Sequence, residues 1–266
     1  MGRRFEMVEL GQDLRFGFFD IPMNDRLCAV KNAGFTQAVY VWEEENNRAG
    51  LPAKEIFDLC EKAGLATVCV HYPQERAADL WREGEDGEAY TRDVIRVTGE
   101  AGDRGIRHLV MHTTRKLITP PPNALGAERM KRILDTAQRR GVDIALENTR
   151  FPEYNCYLYE HCPSERLRFC FDSGHANCFT PQLDPLGMFG DRLVTTHLHD
   201  NDGIQDQHMR PGMGNIRWPE LMRRLLALPE VSLNLETEYS ERDREAGVTL
   251  EEYLEKSYSF IRAFAP

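Results

Sequence analysis

The sequence predicts a single α/β domain spanning residues 1–266, folded as a (β/α)8 TIM barrel with a metal site at the C-terminal face of its strands. Three observations carry that prediction: eight short apolar runs, helix-like stretches between them, and a length near the about 250 residues such a barrel takes. The last four runs share a further property. DIALE ends on Glu147, LRFCFD on Asp172, LVTTHLH reaches His197 and His199, and VSLNLE ends on Glu236. These side chains are expected to converge, because parallel strands that alternate with helices open their C-terminal ends on one face.

In chain order, strands are expected at 14–20 (LRFGFFD), 37–42 (QAVYVW), 66–71 (ATVCVH) and 108–112 (HLVMH), then at 143–147, 167–172, 193–199 and 231–236. Each is short and rich in branched or aromatic residues. A helix over 51–63 opens with Pro52 and stops at Gly64, and one over 124–140 stops at Gly141, the start and stop chemistry that helices prefer. Apolar residues recur at three- and four-residue intervals over 88–102. A helix over 218–228 carries Pro219 at its start, and one over 250–264 closes the chain on a stripe of Leu250, Tyr253, Leu254, Tyr258, Ile261 and Phe264. The fifth and sixth helices, 154–165 and 183–190, are short and interrupted by Pro163 and Pro185. An open doubly wound sheet is the alternative, but its GxGxxG fingerprint is absent. No linker divides the chain.

Composition narrows the function classes. A formal net charge of -10 and a pI near 5.4 argue against a polyanion-binding surface. The opening MGRRFEMVELGQ has no apolar stretch behind its arginines, so it does not read as a secretory signal. No segment approaches the roughly 20 apolar residues that cross a bilayer. Seven cysteines form an odd set without a CxxC pair, which predicts a reduced, cytoplasmic protein without zinc-thiolate sites. Tyr253 and Tyr258 on the last helix offer a face to a second copy in a homo-oligomer, or to the barrel itself.

On the barrel template, His71, His112, Glu147, Asp172, His197 and Glu236 ring one rim. One such residue alone would be read as a satisfied core or cap residue; six at equivalent positions point to a divalent cation. Nitrogen and oxygen donors without thiolate suit Zn, Mn, Co or Mg, and the imidazoles favour Zn or Mn; no organic cofactor is expected. DSGHAN adds His175 just past Asp172. His197 and His199 share a strand face about 6 to 7 Å apart, suited to one ligand and one substrate contact. Asn148 and Trp42 are further candidate substrate contacts, with Phe151 and Phe179 as stacking or rim-packing residues. Asp206 and His208 form an Asp-x-His pair on a loop, either ligands or solvated.

ALENT, FDSGHAN, HLHDND with DQHMRPGMG, and LNLE, in this order, resemble the xylose isomerase-like TIM-barrel superfamily. Its members include sugar isomerases and epimerases, inosose-processing enzymes and endonuclease IV-type apurinic-site nucleases. The resemblance runs from about His71 to Glu236. It implies that Glu147, Asp172, His197 and Glu236 hold one divalent metal and that His175 contacts substrate. It also implies that Glu147 and Glu236 pass protons on opposite sides of a sugar, through an enediolate. One departure is Gly203, where some epimerases carry an arginine six residues past the metal histidine. The nine zinc positions of the endonuclease IV group also find candidates, in His71, His112, Glu147, Asp172, His175, His197, Asp206, His208 and Glu236. A multi-zinc phosphodiesterase is therefore the rival reading.

Binding a duplex needs several phosphate contacts, and the candidates Arg115, Lys116, Arg150 and Arg210 are scattered and alternate with acids such as Glu43, Glu44 and Glu45. The expected function is a metal-dependent isomerase or epimerase of a sugar, sugar phosphate or cyclitol. A lyase or dehydratase on a keto-cyclitol is the remaining alternative. The expected partner is a small carbohydrate-like molecule rather than nucleic acid.

Overall fold

Among the described residues eight parallel strands form the barrel: β1 (Leu10–Asp13), β2 (Gln37–Val39), β3 (Cys69–His71), β4 (His108–Met111), β5 (Asp143–Glu147), β6 (Leu167–Asp172), β7 (Leu193–His197) and β8 (Leu233–Leu235). The structure is a computed structural model and describes residues 9–15, 17–18, 20–43, 51–115, 119–228 and 231–264. Ladders join β2-β1-β8 and β3-β4-β5-β6-β7. Bridges at Gln37–Ala66 and Val41–His71 tie β2 to β3, and bridges at Thr195–Ser232 and Leu198–Leu235 tie β7 to β8. The ring is thereby completed, which is how a barrel disposes of its edges.

Register sets the site. Glu147 pairs with Cys170 across β5 and β6, and Asp172 with His197 across β6 and β7. Side chains along a strand alternate between faces, so Cys69, Val110, Ala145 and Cys170 share a face with His71, His112, Glu147 and Asp172, two residues further on. With Val39 and Val194 they form a small apolar cluster, the layer beneath the rim. The larger core lies between strands and helices.

The helices are α1 (Met23–Asn32), α2 (Ala53–Ala63), α3 (Glu85–Asp103), α4 (Ala124–Arg140), α5 (Pro152–His161), α6 (Ser173–Cys178), α7 (Pro185–Phe189), α8 (Trp218–Leu225), α9 (Glu241–Glu245) and α10 (Leu250–Arg262), with a 3-10 helix at Gln74–Trp81. Gly64 and Gly141 end α2 and α4 in the left-handed region, as their sequence positions require. The interrupted fifth stretch forms α5 and stops before Pro163; the sixth is reduced to α7, with α6 inserted directly after β6.

Two expectations fail at the N-terminal side. The first strand is Leu10–Asp13, not 14–20: Leu14 and Phe18 are buried, but the chain turns at Gly17, whose φ is 72°. Apolar patterning reports burial, and a left-handed glycine breaks an extended run. Helix α1 was not expected, because Arg26 interrupts its buried stripe. That guanidinium is buried and donates to the carbonyls of Ile21 (2.7 Å) and Leu14 (2.9 Å).

Tyr253 and Tyr258 are used within the chain. Tyr253 is buried and donates its hydroxyl to the Glu238 carbonyl at 2.7 Å, while Tyr258 packs edge-on against Phe35 at 5.2 Å. The seven cysteines are all free. Among the described residues no helix is long and apolar enough to cross a membrane.

Candidate metal centre

Glu147, the last residue of β5, is the hub of the barrel mouth. Its Oε2 lies 3.2 Å from His71 Nε2, 3.2 Å from His112 Nε2 and 3.1 Å from His197 Nδ1. Its Oε1 lies 2.9 Å from His175 Nδ1. Four imidazoles from four different segments therefore surround one buried carboxylate. Glu236, one residue past β8, places Oε2 3.2 Å from His197 Nδ1. Asp172, at the end of β6, accepts from the His175 backbone N–H at 2.6 Å and faces His199 Nε2 with both oxygens, at 3.1 and 3.2 Å.

This donor set fits a divalent cation. Ligand atoms of Glu147, Asp172, His197 and Glu236 lie within 4.8 Å of one another, as do those of His71, His112 and Glu147, and those of His199, Asp206 and His208. Nε2 of His197 and Oδ1 of Asp206 are buried without a hydrogen-bond partner among the described residues, and His197 Nδ1 meets its two carboxylates without hydrogen-bond geometry; such groups are costly unless something else binds them. Three imidazoles are also oriented from behind. The Nδ1–H of His71 donates to the Tyr72 carbonyl (2.5 Å), that of His175 to Asn148 (3.0 Å), and that of His208 to Glu236 (2.8 Å). With those tautomers, Nε2 is left as the donor atom, facing Glu147 in His71 and Asp206 in His175 and His208, the outer-shell arrangement that metal-binding histidines use. His208 holds its place on a strained backbone, with φ at 48°.

Electrostatics agree with the geometry. Burial by itself would raise the Glu147 carboxyl, but His112 and His197 hold it well below the usual carboxylate range. Glu236 is likewise opposed by burial yet held down at about 2 by His197, Arg15 and His208. Burial lowers His71. It also works against His175, which Asp172, Asp206 and Glu147 nevertheless raise well above the ordinary imidazole range. His197 is raised too, against burial. The charge responsible comes from Glu236 and Glu147, since burial pushes the neighbouring Cys170 thiol up and keeps it neutral. Burial opposes His208 as well, and Asp206 beside it lifts it to about 9. Without a cation, the cluster satisfies its carboxylates with protons on imidazole.

The structure brings together His71, His112, Glu147, Asp172, His175, His197, Asp206, His208 and Glu236. His175 Nε2 lies 3.2 Å from Asp206 Oδ2, and His208 Nε2 lies 3.5 Å from the same oxygen. His199 belongs to this group as the partner of Asp172 rather than as an exposed substrate contact: it is fully buried and stacks on His208 at 4.0 Å. Asn148 is spent on the backbone of Asp172, accepting from its N–H at 2.8 Å and donating to its carbonyl at 2.9 Å. Trp42 is turned away from the mouth. Its indole N–H donates to Glu100 of α3 at 3.2 Å, and Arg104 lies over its ring at 5.6 Å. The alternation of β2 sends Val41 inward, so Trp42 faces the helix layer. Phe151 and Phe179 do line the mouth, beside a cavity of about 310 Å3 that also touches His112, His175 and Asp206.

Four contributors escaped the sequence reading. Asp13 ends β1 and grips Arg15, whose Nε lies 3.1 and 3.0 Å from the two carboxylate oxygens; Arg15 Nη2 in turn donates to Glu236 Oε1. Ending β1 on LGQD rather than at residue 20 would have revealed them. Ser173 joins β6 to β7 by donating to the His199 carbonyl (2.7 Å) and accepting from its N–H (2.9 Å). Asp200 accepts from Trp218 Nε1 (2.7 Å), Gly212 N–H (2.9 Å) and Ile216 N–H (3.2 Å), stapling the loop that carries Asp206 and His208.

The family model described as xylose isomerase-like TIM barrel matches residues 27–264. The chain belongs to the xylose isomerase-like TIM barrel family. Within curated sequences, this barrel is 33% identical over 106 residues to the uncharacterized protein y4fM of Sinorhizobium fredii, covering 37% of this chain and 34% of that one. The chain spans about a third of the length of the curated relatives it matches. Among solved structures, D-psicose 3-epimerase from Clostridium cellulolyticum H10, with D-tagatose, superposes with a TM-score of 0.77 at 12% identity, over 97% of this chain and 99% of that one. An L-ribulose 3-epimerase gives 0.75 at 15% identity, over 97% and 95%. At such identities the likeness is one of fold.

Proposed function

We propose that this xylose isomerase-like barrel is a divalent-metal-dependent isomerase or epimerase of a small carbohydrate-like substrate, with Glu147 and Glu236 as its acid and base. One observation carries the reading: these two buried carboxylates, three strands apart around the ring, reach the same His197 Nδ1 at 3.1 and 3.2 Å. The adjoining cavity of about 310 Å3 sits at the small end of ligand pockets, which run from about 300 to 1,000 Å3, and suits a monosaccharide-sized molecule better than a duplex.

When bound, a divalent cation supplies polarisation of a carbonyl and its neighbouring hydroxyl, which lowers the cost of an enediolate. The chain's own residues do the rest. Glu147 and Glu236 are both held ionised, so either can accept a proton from carbon, and the carboxyl so formed is the acid that returns a proton or exchanges it with solvent. Arg15 occupies Oε1 of Glu236, leaving Oε2 for proton transfer or ligation. Asn148 and Ser173 fix the ends of β6 and β7, so Asp172 and His197 cannot swing out of the mouth. The small apolar layer beneath the rim excludes water from below.

The rival, a multi-zinc phosphodiesterase, draws support from His175, Asp206 and His208 standing together as a further donor group. Two measurements separate the readings. Solvent deuterium should enter the carbon beside the carbonyl when ketoses, aldoses or inososes are incubated with metal-loaded protein, and elemental analysis should find near one metal per chain. Near three zinc, with cleavage of an abasic-site duplex and no deuterium uptake, would replace the isomerase reading with the phosphodiesterase. Loss of water from the sugar after deuterium uptake would instead assign a lyase or dehydratase.

A further inference from the structure

The cavity beside the metal centre carries charge that the chemistry above leaves unused. Arg150 sits over the face of Phe179, its guanidinium carbon 4.1 Å from the ring centre, and Phe179 stacks on His175 at 4.9 Å. A cation held over an aromatic face is restrained there while its N–H donors stay available to a ligand. Among the described residues no acid or carbonyl takes a hydrogen bond from Arg150. Arg115 lines the same cavity. Its acidic neighbour Glu75 is 3.8 Å away and largely exposed, a pair that water and salt screen. The hydroxyls of Thr114 and Thr149, both buried, lie 3.2 Å apart beside them. Of the sequence candidates for phosphate contact, Arg115 and Arg150 line this cavity and Arg210 does not; Lys116 falls outside the described residues.

Two cations and two hydroxyls line one small cavity whose own acid, Asp206, is engaged by His175 and His208, so in a chain of net charge -10 the local field there runs opposite to that of the whole molecule. Arginine forks are suited to planar or tetrahedral oxyanions. We infer that the substrate carries an anionic group, a phosphate monoester or a carboxylate, away from its reacting carbon, and that Arg150 and Arg115 hold it together with Thr114 and Thr149. Placing the anion there leaves the uncharged end of the molecule facing His112, His175 and Asp206, toward Glu147. The substrate class rests on the isomerase or epimerase reading; the anion subsite does not. Binding energy from such a remote group is what aligns a small substrate over its catalytic carboxylates.

Inorganic phosphate probes the subsite directly. Titrated calorimetrically into chelator-stripped protein, where no cation competes for it, phosphate should bind the wild type. The Arg150→Gln variant should weaken that binding about tenfold or more, and Arg115→Gln should do so too, as loss of a charge-assisted hydrogen bond requires. Arg150 is exposed, so its variant should keep the wild-type melting temperature. With metal-loaded protein, a neutral ketose, its phosphate monoester and the corresponding sugar acid then identify the source of the anion. One charged form should exceed the neutral one by about 100-fold in kcat/KM, and Arg150→Gln should remove most of that through KM. Unchanged phosphate affinity in both folded variants overturns the subsite, and equal turnover of neutral and charged sugars overturns the substrate class. Phosphate binding that depends on Arg150, in a protein that isomerises none of the sugars or that hydrolyses the monoester, retains the subsite and removes the isomerase reading instead.

Discussion

Arg15 donates from Nη2 to Oε1 of Glu236, 221 positions further along the chain, while Asp13 clasps the same guanidinium from the other side. Burial alone would discharge Arg15, but the two acids raise its pKa further above the ordinary range. It is a fixed cation that limits Glu236 to one available oxygen.

Removing that cation should be costly before any metal is added. Arg15→Gln leaves Asp13 buried without its cation and Glu236 with only His197 and His208, a change that costs about 3 kcal/mol where a buried pair is broken. Urea denaturation of stripped protein should show the loss. Saturating Mn should shrink it, because a second cation then faces Glu236. Equal midpoints for wild type and variant in the stripped state would mean that Arg15 carries no such role.

Glu147→Gln and Glu236→Gln should each lower turnover by about 10³-fold, the scale of general acid–base catalysis, with far-ultraviolet circular dichroism unchanged. Both carboxylates sit at the ends of strands rather than in the apolar layer, so the barrel should still fold without their charge, at reduced stability. Deuterium uptake into substrate is the readout. Uptake persisting at the wild-type rate in either variant would exclude that residue as a proton carrier.

Gly174 lies beneath the imidazole of His199, and a Cβ there would overlap the ring. Gly174→Ala should therefore displace His199 from Asp172 and loosen metal binding by about 10- to 100-fold, as outer-shell changes do. Competition with a chromophoric chelator would measure it. Undiminished affinity would show that Asp172 does not need His199.

The pH dependence of stability should differ between stripped and loaded protein. His208 has its pKa raised from 6.5 to about 9 in the fold. Its contribution is full below pH 6.5 and is lost as pH rises through about 9. Glu236 is depressed from 4.5 to about 2, so its contribution is present above pH 4.5 and is lost as pH falls toward 2. A metal needs the imidazoles unprotonated. The melting temperature of stripped protein should fall between pH 6.5 and 9, and the increment from added metal should grow over the same interval. A constant increment would contradict protonated histidines as the stand-in for a cation.

Much of this site was legible because strand alternation and barrel closure are periodic. Six residues at the ends of apolar runs met as the pattern requires, His71 with Glu147 at 3.2 Å and His197 with Glu236 at 3.2 Å among them. Where the pattern could not discriminate, it misled. Trp42 is one residue past an inward position and so faces α3, and Leu14 and Phe18 are apolar because they are buried on either side of the turn at Gly17. Asn148, polar and adjacent to Glu147, looked available until its amide was found bound to both backbone groups of Asp172.

The amino-acid sequence by itself determined that carboxylates and imidazoles would gather at one end of the barrel, because that depends only on a two-residue period and on the direction of parallel strands. Tertiary structure decided which atoms meet: four imidazoles on Glu147, Arg15 on Glu236, Arg150 over Phe179. Those contacts join segments up to 221 positions apart, and their distances follow from closure of the ring and from side-chain rotamers, neither of which a local pattern encodes.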